Sequence, residues 1–167
     1  MKISDVESSV FRIEVMPRSE AGTGSAALVN AAHQSGITEL QGCIKGNLFF
    51  VQGHLDAAEV ERLAQELLAD PVTESFTIML QDPTADPPIP TDAIESTIEV
   101  TLLPGVTDPA AENLVRAAHL LGLTNLSQAA TGQFYRLTGT LSDSGLHRLA
   151  VEIFSNPVIQ RFTLNKT

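Results

Sequence analysis

Few side chains in this chain of 167 residues could do chemistry. His33 and His119 occupy the same place in two matching segments, Leu28-Val29-Asn30-Ala31-Ala32-His33 and Leu114-Val115-Arg116-Ala117-Ala118-His119. A metal pair on a helix needs a second ligand one turn away, and neither histidine has one at i+4 or i−4. Both read as helix-face or core histidines. Cys43 lies in a short apolar stretch with no Cys partner and no nearby His, so it reads as a buried strand thiol rather than a nucleophile. Asp108 and Glu112 could pass as paired carboxylates, but both stand at a helix start, where negative charge meets the positive end of the helix dipole. Gly22-Thr23-Gly24-Ser25 precedes a helix and could seat an anion, yet it lacks the Lys and the spacing of a phosphate loop. Ser142-Asp143-Ser144 reads as capping. Asn156-Pro157 reads as a turn after a helix that could also meet a partner. No constellation here can run a reaction, and the expectation is a chain with no catalytic, cofactor-binding or metal-ligating residues of its own.

Composition narrows the partners. The formal net charge is −10 with only ten Lys and Arg, the wrong balance for neutralising phosphates on nucleic acid or anionic lipid headgroups. No apolar run approaches the roughly 20 residues of a membrane span, and Met1 to Glu7 lacks the apolar core of a signal peptide. A lone Cys forbids an internal disulfide. A cytoplasmic protein is expected.

The elements that would position these residues follow from periodicity. Phe11, Ile13 and Val15 alternate with polar neighbours and predict a strand ended by Pro17. Leu28, Val29, Ala31 and Ala32 lie at helical spacing, with Gly36 where a C′ residue belongs. Leu40–Ile44 and Leu48–Gln52 predict two short strands joined by a hairpin turn at Lys45-Gly46-Asn47. Asp56 with Glu59 predicts a capping box opening a helix whose stripe is Val60, Leu63, Ala64, Leu67 and Leu68. Asp70-Pro71 ends it, and Phe76, Ile78 and Leu80 predict a final strand. Residues 82–96, with four prolines, read as a stiff linker.

From Ile98 the pattern starts again. Ile98, Val100 and Leu102 predict a strand that Pro104-Gly105 stops, with Asp108 at the N-cap and Pro109 at the first helical position. His33, Gly36, Gly46, Gly53, Leu63 and Phe76 recur as His119, Gly122, Gly132, Gly139, Leu149 and Phe162, all at an offset of 86. Such register marks a tandem duplication. The expected fold class is α+β: two ferredoxin-like β-α-β-β-α-β units in tandem, at 1–81 and 97–167 with the linker 82–96 between them, forming an internal pseudo-dimer. A small plait with helices on one face leaves its other sheet face open, and the expectation is that two copies bury those faces against each other; residues such as Ile98, Val100 and Leu102, and Phe11, Ile13 and Val15 are candidates, but alternation does not say which set faces the helices and which the partner.

The strand and cap Val100-Thr101-Leu102-Leu103-Pro104-Gly105-Val106-Thr107-Asp108-Pro109, the helix segment Ala117-Ala118-His119-Leu120-Leu121-Gly122, then Thr131-Gly132 and Asn156-Pro157-Val158-Ile159 carry a resemblance. The second unit resembles the small subunit of phosphoribosylformylglycinamidine synthase, the amidotransferase of purine biosynthesis. The first unit matches less well, with Met16-Pro17-Arg18 and Asp70-Pro71-Val72-Thr73 at the corresponding places. In the long single-chain form of that enzyme two such units are fused and mimic the small-subunit dimer. The resemblance implies a non-catalytic role: joining a synthetase, which binds ATP, magnesium and formylglycinamide ribonucleotide, to a glutaminase, so that ammonia passes between them. It leaves open whether the chain is a free subunit or the N-terminal part of a fused synthase, and whether it oligomerises further. The alternative is a tandem ACT-like sensor of small molecules, which shares the plait; the cap stretch and the Asn156-Pro157-Val158-Ile159 ending favour the synthase.

Overall fold

The computed structural model describes residues 8–19, 25–81 and 95–166. Met1 to Glu7, the Gly22-Thr23-Gly24 loop and most of the proline-rich segment expected as a linker lie outside the described residues. In chain order the elements are β1 (Ser9–Pro17), α1 (Ser25–Gln34), β2 (Leu40–Gly53), α2 (Ala57–Leu63), β3 (Glu74–Gln81), β4 (Glu95–Leu102), α3 (Pro109–Leu120), β5 (Leu126–Gly139), α4 (Asp143–Leu149) and β6 (Gln160–Lys166). A π-helical turn prolongs α2 over Ala64–Leu68 and α4 over Ala150–Phe154. The fold class is α+β and ferredoxin-like, and the six strands hydrogen-bond in the order β3-β1-β2-β5-β4-β6.

Local signals placed most boundaries. The capping box forms, with the Glu59 N–H donating to Asp56 Oδ1 at 2.8 Å and the Asp56 N–H donating to Glu59 Oε2 at 3.0 Å. Gly36 and Gly122 take φ of 84° and 89° after α1 and α3. In both places the next residue donates back five positions, Ile37 to Ala32 and Leu123 to Ala118 at 2.9 Å each. This closes the helix end in a conformation that residues with a Cβ resist.

One expectation fails in both repeats. The hairpin at Lys45-Gly46-Asn47 does not form; residues 40–53 make one strand of 14 residues, and residues 126–139 make another. A turn signal is a local preference worth little against strand pairing. Here both halves of β2 find a partner in β5, so the chain gains more by running straight.

Opening those turns changes what packs with what. The chain divides into two compact units, and each draws on both repeats. The first unit contains most of β1, the second half of β2, α2, β3, α3 and the first half of β5. Its core joins Ile13, Val15, Val51, Val60 and Leu63 to Leu114, Ala118, Leu123 and Leu126. The second unit contains α1, the first half of β2, β4, the second half of β5, α4 and β6. Its core joins Ala32, Ile37, Leu40 and Cys43 to Ile98, Val100, Leu137, Leu146 and Leu149. Each unit thus holds four strand segments and two helices, the contents of a plait, with one helix and the strand after it supplied by the other repeat.

The expected apolar faces for sheet-on-sheet pairing are also corrected. Ile98 and Val100 are buried in the core of the second unit with α1 and α4, and Ile13 and Val15 in the core of the first with α2 and α3. In the second unit the opposite face of β4 carries Glu95, Thr97, Glu99 and Thr101, set against Thr138, Arg136, Phe134 and Gly132 of β5 and against Asn165, Thr163 and Arg161 of β6. Arg136 pairs with Glu95 at 3.7 Å, and Arg161 Nε donates to Thr101 Oγ1 at 3.3 Å. Phe134 is the apolar residue on this otherwise polar face, and it is buried.

Candidate functional site

Asp108 opens α3 and is half-buried. Its Oδ1 accepts the Ala111 N–H at 3.0 Å, the bond expected of an N-cap. Its Oδ2 accepts the Thr131 N–H at 2.7 Å, and the Thr131 hydroxyl lies 3.0 Å from both carboxylate oxygens. The carboxylate therefore clasps the start of α3 to β5. Thr131 has no local signal for this role, since it lies 23 residues further along the chain. Glu112 is exposed in the first turn of α3, and its N–H donates to the Asp108 carbonyl at 3.1 Å. The two carboxylates are helix-start groups that share no common target.

Replacing Asp108 with Ala removes the cap and leaves the Thr131 N–H without its acceptor. A cap is worth about 1 kcal/mol and a charge-assisted bond about 1.5–3, so a loss of roughly 2.5–4 kcal/mol in urea melts is expected. Thr131→Val, which keeps its N–H, should lose less. A loss under about 0.5 kcal/mol for Asp108→Ala would mean that the clasp adds nothing to the fold.

Asn156 builds the turn before β6. Its side-chain oxygen accepts the Val158 N–H at 3.1 Å, and its own N–H donates to Gln160 Oε1 at 2.7 Å. Asp70 repeats the device, accepting from Val72 and donating to Glu74. Val158 and Val72 at the two tips are 79% and 81% exposed. In the second unit the turn also meets the strand of the cap stretch, for the Leu103 N–H donates to the Ile159 carbonyl at 2.9 Å.

His33 and His119 are exposed, and each Nε2 donates to a strand carbonyl, Leu40 and Leu126 respectively, at 2.7 Å. Ser142 caps α4 by accepting the Gly145 N–H at 3.1 Å. Arg148 of α4 pairs with Glu152 at 3.0 Å and donates to the Ser35 carbonyl just beyond α1 at 2.9 Å, a cation at a helix C-terminus. Among the described residues no group of three or more His, Cys, Asp and Glu side chains is disposed to hold a metal ion, and no helix is long and apolar enough to cross a membrane.

Cys43 is buried in the core of the second unit, and desolvation pushes its thiol up to about 12. The unfolded thiol ionises near its ordinary 9.0 while the native one keeps its proton. The native state then binds more protons than the unfolded state, so this group's contribution falls as pH rises from 9.0 towards 12. Cys43→Ala should flatten the alkaline loss of stability in melts between pH 8.5 and 10. The wild-type thiol should resist alkylation at pH 8 until the chain is denatured, whereas reaction in the native state at the rate of a free thiol would contradict its burial.

These elements define a tandem α+β chain of ferredoxin-like units whose shared segments are structural clasps and turns. Residues 95–167 match the model of the PurS family, described as phosphoribosylformylglycinamidine (FGAM) synthase; the second repeat is PurS-like. Among solved structures, the chain is similar to Methanocaldococcus jannaschii PurS, one of the subunits of formylglycinamide ribonucleotide amidotransferase in the purine biosynthetic pathway. The identity is 19% and the TM-score 0.41, over 44% of this chain and 94% of that one. No curated protein matches the chain.

Proposed function

We propose that the chain is a non-catalytic component of phosphoribosylformylglycinamidine synthase that joins the synthetase and glutaminase parts so that ammonia can pass from one to the other. The observation that carries this reading is the PurS-family match over residues 95–167, together with the recurrence of the same elements one repeat earlier. In this reading repeats 1–81 and 97–167, joined by 82–96, stand for the two chains of a small-subunit dimer, and the work is done in the cytoplasm. The clasped loop before α3 and the exposed turns at Val72 and Val158 are surfaces of the kind a joining protein offers.

The test is reconstitution. With the synthetase and glutaminase of the same organism, adding the chain should raise glutamine-dependent formation of the amidine product at least tenfold. The reaction run on free ammonia should respond much less, because it needs no transfer. The purified chain alone should neither hydrolyse glutamine nor consume ATP. Equal glutamine-dependent rates with and without the chain, and no co-elution with the synthetase, would end this reading.

A further inference from the structure

Each long strand passes from one compact unit to the other near its middle, β2 at Asn47–Leu48 and β5 at Thr131–Gly132. At the crossing in β2 stands Lys45-Gly46-Asn47, the strongest turn signal in either strand. The corresponding residues of β5 are Thr131-Gly132-Gln133, and Gln is a poorer turn former than Asn. The register shows that the turn could close. Gly42 lies beside Thr138 and Gly46 beside Phe134, so partners in β2 and β5 have numbers that sum to about 180, an antiparallel relation. Shifted by the repeat offset of 86, the same pairing within β2 alone has numbers that sum to about 94 and turns about Asn47, with Gly46 and Asn47, both favoured turn residues, in the loop. The first repeat therefore encodes a self-contained plait besides the exchanged one it adopts.

Within the second unit a specific contact accompanies the extended form of β2. Phe134 pairs with Glu99, so it points to the polar face of the sheet, away from the helices. It is nevertheless only 3% exposed and belongs to neither core cluster. Its ring lies over Gly46, where a Cβ would collide with the ring and would meet the Met16 sulfur at 2.7 Å. An aromatic ring and a thioether sulfur closed over a glycine make a favourable contact of their own, and only a residue without a Cβ admits it.

We propose that Phe134 and Met16 form a latch over Gly46 that holds β2 open, and that Gly46-Asn47 is a hinge about which the first repeat can fold back into a self-contained plait. The latch contact exists only while β2 is extended beside β5. Folding β2 back at Gly46-Asn47 would remove the pairing that brings Phe134 to Gly46. Beside the pairing with β5 and the shared cores, this contact and this turn are the local terms that bias β2 towards its extended form.

Hydrogen–deuterium exchange on the full-length protein tests the latch. In Phe134→Ala, amides 44–47 should speed up at least roughly tenfold more than those of β6, since only the hinge is released, whereas Leu149→Ala, a general core lesion, should speed up both alike. A second variant, Gly46→Asn with Asn47→Gly, installs Asn-Gly, the strongest short-range hairpin signal, at the crossing. With a protease site placed between Pro83 and Pro90 and then cut, the wild type should stay together on a sizing column, and this variant should release its first repeat as a separate species of about half the mass while the second, which lacks the turn, self-associates. If Phe134→Ala accelerates amides 44–47 and β6 equally, the latch is overturned. If the cut Asn-Gly variant folds and runs as the wild type does, the hinge is overturned.

Discussion

Either repeat produced alone, the one ending at Gln81 or the one beginning at Glu95, is expected to self-associate or aggregate, and the two together to recover the folded protein. The reason lies in the cores. Without the second repeat the first unit loses Leu114, Ala118, Leu123 and Leu126. Three leucines at about 1.5–3 kcal/mol each amount to roughly 5–9 kcal/mol of lost burial, against a total stability of about 5–15 kcal/mol for a domain. Without the first repeat the second unit loses Ala32, Ile37, Leu40 and Cys43, with Leu28 and Val29 at their margin. Apolar surface uncovered on that scale drives association. Severing the chain between Pro83 and Pro90 should, by contrast, leave the halves together at micromolar concentration, because a linker contributes effective concentration rather than contacts. Sizing with light scattering distinguishes the outcomes. Two stable monomeric repeats, each melting independently, would show that the cores do not depend on the exchange.

A second large effect is expected at the far ends of the two long strands. Gly53 and Gly139 are equivalent by the repeat and meet equivalent obstacles. A Cβ on Gly53 would run into the Asn125 carbonyl, and one on Gly139 into the Glu39 carbonyl. Gly139 also has φ of 141°, a backbone conformation that residues with a Cβ rarely adopt. Backbone atoms cannot swing aside as a flexible side chain would, so the strands would have to part. Gly139→Ala should cost about 3 kcal/mol or more in denaturant melts, and Gly53→Ala a comparable amount. Gly36 and Gly122 make the control. Their φ is also positive, but nothing lies within 4 Å of an added Cβ, so Ala there should cost only about 1 kcal/mol. A loss at Gly139 no larger than at Gly36 and Gly122, with none at Gly53, would mean that conformation alone, rather than close approach, governs these glycines.

The sequence by itself determined the elements and their repetition. Alternation in Phe11, Ile13 and Val15 and in Ile98, Val100 and Leu102, the Asp56–Glu59 box, the Asp108-Pro109 cap and the glycines after α1 and α3 are local devices, and local devices are written in neighbouring residues. The offset of 86 carried each of them from one repeat to the other. The PurS-like character of residues 95–167 was likewise legible, because it rests on short segments at fixed spacing. Tertiary structure alone decided the partnerships. Whether Lys45-Gly46-Asn47 turns or runs straight depends on whether β5 lies alongside, and nothing within residues 40–53 says so. The same holds for the clasp from Asp108 to Thr131 and for the packing of α3 with α2 rather than with α4. It holds too for the polar face of β4, where alternation named two sets of side chains without saying which would lie under helices. Pairings between distant segments are chosen by the sum of many weak contacts across the fold, and that sum is not encoded at any one place along the chain.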